Sequence, residues 1–191
     1  MAPLSRGSLV KFLQTGLDGP ESINALCWVE RELRVVPTTH NTRVIRAIAA
    51  IKMGAYPEDV ASVLDWKEFE TFCAALFRAK GFEVSENITT ARPRMQVDLL
   101  ARSGSLALVV DCKHWYRPMA MSSLSRVIAS QEKRADLFRM KRPSLEPMVV
   151  VILSAVDETV RYMDGAAIVP VFTLANFLDN LVGYAEGLPR H

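Results

Sequence analysis

The spacing of apolar residues changes character near residue 65. Before it the pattern is helical: Ser8 to Leu17 carries Leu9, Phe12, Leu13 and Leu17 on one stripe, and Asn41 is placed to cap a helix bearing Val44, Ile45, Ile48 and Ile51 that ends at Gly54. A short helix from Pro57 to Leu64 follows, while Ile23 to Val36 is apolar on no consistent face and is left open. From residue 65 the signals alternate. Asp65 with Glu68 three residues on resembles a capping box and predicts a helix to Lys80, stopped by Gly81. Strands are expected at Phe82–Glu86, Met95–Arg102 and Ser105–Lys113, the last two joined by a turn at Ser103-Gly104. A long helix Ser122–Met140, a buried strand Pro147–Leu153, a short helix Glu158–Met163, a strand Ala167–Phe172 and a closing helix Leu174–Leu181 complete the chain. The order α-β-β-β-α-β-α-β-α predicts an α/β domain over residues 65–191, a mixed sheet with helices on its faces, behind a helical region at 1–64.

Composition narrows the class. With 191 residues, half hydrophobic and 23% charged, the chain can bury a real core, which excludes wholesale disorder. A net charge of +2 neither demands nor excludes an anionic partner, so any nucleic-acid case rests on local clustering. Cys27, Cys73 and Cys112 lie far apart with no C-x-x-C spacing, which argues against a zinc site or a disulfide framework and reads as small core residues in a reducing compartment. Trp28 and Trp66 read as packing residues. The longest apolar run, Met148 to Leu153, is too short to cross a bilayer, and no signal-peptide pattern opens the chain, so a soluble, cytoplasmic protein without membrane partners is expected.

The candidate chemistry sits at the end of one strand. Leu106 to Val110 is apolar on both faces, as a doubly covered central strand requires, yet it finishes in Asp111 and Lys113 on one face with Cys112 on the other. A carboxylate and an ammonium there must pair, bind a metal or reach a cleft. With the turn at Ser103-Gly104, antiparallel pairing sets Asp98 opposite Val109 and makes Asp111 its diagonal neighbour, about 7–8 Å away on the same face. Two such carboxylates suit magnesium, which prefers carboxylate oxygens and keeps waters for chemistry. Phosphodiester hydrolysis needs these parts: a cation to offset charge and acidify water, and a lysine to position the water or stabilise developing negative charge. Glu70 shares a helix stripe with Trp66, Cys73 and Phe77, so its carboxylate is expected to be at least half buried.

Asp98, a 12-residue gap, then Asp111-Cys112-Lys113 at the end of a hydrophobic strand resembles the PD-(D/E)xK pattern of restriction-endonuclease-like nucleases. The run Trp66-Lys67-Glu68-Phe69-Glu70 followed by Gly81-Phe82-Glu83-Val84 is similar to the opening of the Mrr-like branch and of archaeal Holliday junction resolvases, and the likeness extends over roughly residues 65 to 181. The resemblance implies the restriction-endonuclease-like fold, with its α-β-β-β-α-β core. It implies a magnesium ion, with manganese as a substitute, held by Asp98, Asp111 and the backbone carbonyl of Cys112, with Glu70 completing the site and Lys113 assisting catalysis. The pattern also departs from the family. Pro93 precedes Asp98 by five positions, not one, Asp111 stands where the Mrr-like branch commonly has Gln or Glu, and Gln131 is followed by Ala135 where RecB-like nucleases carry Gln-x-x-x-Tyr.

Between Cys112 and Arg142 there are eight Lys or Arg against two acids, an excess that suits phosphate contacts through Arg126, Lys133 and Arg134, with Arg92 and Arg94 in the loop before Asp98 beside the same cleft. Trp115 and Tyr116 follow as stacking residues or as cover for the sheet edge, and His114 as a flanking residue. The expected function is a magnesium-dependent endonuclease acting on DNA. Two rivals belong to other classes: a catalytically inactive nucleic-acid-binding module of the same fold, and an internal ion-pair network in a protein-interaction domain. For residues 1–64, DNA binding, homodimerisation and bracing of the core stand as alternatives.

Overall fold

The computed structural model describes residues 6–15, 20–33, 42–91, 94–114, 120–153 and 160–181. Four helices come first: α1 (Arg6–Thr15), α2 (Pro20–Leu33), α3 (Thr42–Lys52) and α4 (Pro57–Val63). The undecided stretch is thus helical as far as Leu33. Its weak pattern has a physical reason: α2 buries Ala25 and Val29 and leaves Cys27 exposed, too narrow a stripe to announce itself. Helix α5 (Trp66–Ala79) starts on a complete capping box, Asp65 accepting from the Glu68 N–H and Glu68 accepting from the Asp65 N–H.

A six-stranded sheet follows, made of β1 (Glu83–Ala91), β2 (Arg94–Ser103), β3 (Leu106–Lys113), β4 (Glu146–Leu153), β5 (Arg161–Met163) and β6 (Ala166–Pro170), in the order β1-β2-β3-β4-β6-β5. The first three strands form an antiparallel meander, β3, β4 and β6 run parallel, and β5 is an antiparallel edge. Helix α6 (Met121–Lys141) makes the crossover from β3 to β4, and α7 (Leu174–Asp179) closes the described chain after a 3-10 turn at Val171–Thr173. The expected strand reaching Phe172 therefore ends at Pro170. The expected helix Glu158–Met163 is corrected as well: residues 158 and 159 lie outside the described residues, and Arg161–Met163 is a strand. Asp164 and Gly165, with φ of 49° and 82°, form a two-residue hairpin turn that pairs Met163 with Ala166.

Each face of the sheet has its own core. Leu99, Ala101, Leu108, Val110 and Cys112 join Val150 and Val169 under α5, and this cluster continues without a break into Leu9, Leu13, Val29, Ile45 and Ala49 of the first three helices. On the opposite face Leu100, Ala107, Val109, Val149 and Ile168 are covered by Leu124, Ile128 and Ala135 of α6. Among the described residues no helix is long and apolar enough to cross a membrane.

Candidate active site

The meander sets the position of both aspartates. The turn between β2 and β3 is Gly104-Ser105, one residue later than expected, with Gly104 at φ 60° and Ser103 paired with Leu106. Each residue moved into or out of a hairpin loop shifts the partner by two, so Leu100 and not Asp98 lies against Val109. A shift of two keeps every side chain on its face. The last pair of the ladder is Leu99 with Val110, so Asp98 and Asp111 are the next residues beyond its end on the two strands. There the ladder gives way to a side chain: the Cys112 N–H donates to Asp98 Oδ2 at 2.9 Å.

Asp98 also marks a break in β2. Val97 packs with the α6 cluster, whereas Leu99, two positions on, packs with the α5 cluster, so strict alternation fails between them. On β1 the pairs Glu86 with Leu99 and Ile88 with Val97 flank the spot, and Asn87 between them is left-handed at φ 50°. Asn tolerates that conformation better than most residues.

Asp111 is 3% exposed and alternates with Val109, so it faces α6. Its Oδ1 accepts from Gln131 Nε2, with Arg134 Nη1 4.0 Å from the same oxygen, and its Oδ2 lies 2.8 Å from Lys113 Nζ. The lysine contact is an ion pair without hydrogen-bond alignment. Both Asp111 Oδ2 and Gln131 Oε1 are buried with no hydrogen-bond partner among the described residues. Glu70, 9% exposed, lies in the field of the same groups. Burial first, then the charges of Asp98 and Asp111, push its pKa from 4.5 to about 7, against the pull of Lys113, with Glu86 adding to the rise. Asp98 is also raised, by burial above all and by Asp111, opposed by the Cys112 N–H, Lys113 and Arg134. The Cys112 thiol is driven well up by burial and by its hydrogen-bonded neighbour Cys73, which favours the neutral thiol.

The frame around these groups comes from long-range contacts that local sequence does not report. Arg43 on α3 donates through Nε to Glu68 at 2.6 Å and through Nη2 to the Val63 carbonyl at 3.0 Å, locking the α4–α5 junction. His114 follows Lys113 directly; its Nε2 lies 2.8 Å from the Ala61 carbonyl and its ring 5.2 Å from that of Phe69. Their partners are 25 and 53 positions away, and no periodicity reports contacts of that range.

Besides Lys113, Arg134 is the basic residue brought to Asp111 among the described residues. Arg126 and Lys133 are exposed on the side of α6 opposite the stripe Leu124, Ile128, Gln131 and Ala135. Arg94 opens β2 and pairs with Ala91, while Arg92, Pro93, Trp115 and Tyr116 lie outside the described residues. Two packing expectations are corrected. Trp66 is 56% exposed because α5 emerges from the core at its first turn, and Cys27 is exposed on the outer side of α2. Among the described residues no three His, Cys, Asp or Glu side chains are gathered closely enough to hold an ion by themselves.

A three-strand meander, a helical crossover to a parallel strand and helices on both faces define a restriction-endonuclease-like α/β fold. Residues 61–145 match the family model described as restriction endonuclease, of the Mrr type, which supports a likeness to the Mrr-like branch of the PD-(D/E)xK nuclease superfamily. An uncharacterized protein of Archaeoglobus fulgidus is 28% identical to the chain over 127 residues, covering 62% of this chain and 93% of its own length.

Proposed function

We propose that the protein is a magnesium-dependent endonuclease that hydrolyses phosphodiester bonds of DNA, with manganese able to replace magnesium. The observation that carries this reading is the convergence of charged groups at the end of β3: Asp98 accepts from the Cys112 N–H at 2.9 Å, Lys113 Nζ lies 2.8 Å from Asp111, and Glu70 lies in the field of all three. The donor set fits a divalent cation. Asp98 and Glu70 are both raised by burial and by neighbouring negative charge, which a cation between them would relieve. A strand residue presents its N–H and C=O to the same side, and the Cys112 N–H points at Asp98, so its carbonyl is available toward the same carboxylate.

Asp98, Asp111 and the Cys112 carbonyl would hold the ion, with Glu70 in support. When bound, the ion supplies charge for the crowded phosphate oxygens and lowers the pKa of a water. Gln131 holds the Asp111 carboxylate in one orientation, and the Cys112 N–H does the same for Asp98. Lys113 stabilises charge at the phosphorus centre or orients the attacking water, whose oxygen bonds to phosphorus as the bond to the leaving oxygen breaks. Arg134, already 4.0 Å from Asp111, is the nearest further cation for a phosphate. Arg126 and Lys133, with Arg92 and Arg94, would serve DNA outside the cleavage point.

Purified protein incubated with supercoiled plasmid should nick or linearise it with magnesium or manganese and not with EDTA. Lys113→Ala should lose most cleavage while keeping DNA affinity within a few-fold, because one phosphate contact is a small part of the electrostatic attraction. A variant that cuts at the wild-type rate would remove Lys113 from the mechanism. A second reading, a DNA-binding module without turnover, draws on the lack of a three-ligand side-chain cluster among the described residues. It predicts plasmid binding with no cleavage under any divalent ion.

A further inference from the structure

The stripe of α5 that carries Glu70 leaves the core at its first turn. Phe77 and Cys73 are fully buried, Glu70 is nearly so, and Trp66 is 56% exposed. Four helical residues rise about 6 Å, and side chains lean toward the helix N-terminus, so the Trp66 indole stands about one turn outward from the Glu70 carboxylate on the same side. Lys67 adds a cation, its Nζ 5.2 Å from the Trp66 ring centroid. The turn bearing this pair is held firmly: Asp65 and Glu68 close the capping box, Arg43 grips Glu68, and Phe69 packs against His114, the residue after Lys113. A large exposed aromatic surface, with an ammonium over one of its faces, is therefore presented in a fixed place beside the candidate cleavage site.

Building on the nuclease reading above, we infer that Trp66 and Lys67 form a stacking platform for a nucleobase next to the scissile phosphate, and that the substrate is DNA with an unpaired nucleotide at that point. The chemistry selects the occupant. An indole face stacks on any base, and the adjacent ammonium serves the phosphate that precedes or follows it. A base within an uninterrupted duplex has both faces covered by its neighbours and cannot use the platform; a base at a branch, flap or single-stranded gap can. Trp66 is a positioning residue in this scheme, since the acids and Lys113 face the phosphate.

The test uses the full chain and fluorescein-labelled DNA in EDTA, so that binding is read without cleavage. Three probes share one sequence: a perfect duplex, the same duplex with a central unpaired bubble, and a single strand. Trp66→Ala should weaken binding to the bubble and the single strand about five- to a hundred-fold and change duplex binding less than two-fold, while Trp66→Phe, which keeps a ring, retains most of the affinity. Wild type should show quenching of tryptophan fluorescence on the single strand, and Trp66→Phe, which keeps Trp28 and Trp115, should show clearly less of it. Unchanged melting of both variants confirms that they fold. Equal losses on all three probes, or no loss on any, overturns the platform. Plasmid cleavage with magnesium, run alongside, separates the two readings. If wild type cuts and the Trp66→Ala pattern is absent, only the platform falls; if wild type neither binds nor cuts, the nuclease reading falls with it.

Discussion

Glu70 is the residue where the cost of the site is most directly measurable. Its carboxyl titrates near 7 in the fold and near 4.5 when unfolded, so between those values the folded state binds more protons. Stability must then fall as pH rises through this window, be free of the penalty below 4.5, and level off above about 7. Glu70→Gln should flatten that decline and leave the variant more stable than wild type above pH 7, by on the order of 2 kcal/mol once solvent screening is allowed for, with no gain below 4.5. Urea unfolding across this pH range checks it, and a wild-type stability that rises through the window would contradict the burial of a charged Glu70. Asp98 is shifted the same way and adds to the same slope. Magnesium should oppose the penalty, and its stabilising effect should shrink in Asp98→Asn and Asp111→Asn; equal melting shifts in wild type and both variants would count against these residues as ligands.

At the level of elements, α6 separates two kinds of basic residue that composition had pooled. Arg134 flanks the buried stripe and reaches Asp111, while Arg126 and Lys133 point away from the sheet. Arg134→Ala should therefore reduce cleavage more than binding. The Arg126→Ala/Lys133→Ala pair should leave cleavage at saturating DNA unchanged, and it should flatten the dependence of log affinity on log salt by about 0.9 for each duplex phosphate contact it removes. Cleavage rates and salt titrations of the two variants distinguish the cases, and an unchanged slope in the pair would mean that the outer face of α6 does not touch DNA. Legibility differed among the elements for physical reasons. Strand β3 announced itself because it is buried on both faces, whereas alternation along β2 is interrupted at Asp98, where Val97 and Leu99 enter different clusters, and no sequence pattern reports such a break. Strand β5 is three residues long with two of them exposed, so burial left no pattern in it; only the Asp164-Gly165 dipeptide carried the hairpin signal. Trp66 misled because a helix stripe gives direction and not depth.

Across the whole molecule, the four N-terminal helices and the sheet share one apolar cluster, from Leu9 and Ile45 through Phe69 and Cys73 to Val110. Arg43 and His114 tie the same helices to the start of α5 and the end of β3. A chain shortened to residues 65–191 would expose the outer side of α5 and lose both ties, so it is expected to unfold without a cooperative transition or to aggregate, as calorimetry and light scattering would show. A sharp transition near that of the full chain would instead establish 65–191 as self-sufficient. The substitution of a carboxylate for a backbone carbonyl at the Cys112 amide has a different use. That amide proton sits in a contact with Asp98 whose strength depends on the charge of the acid. Its nitrogen-15 resonance is therefore a built-in gauge, expected to move with acidification and again with each added cation, and able to report what enters the site before any bond is cut.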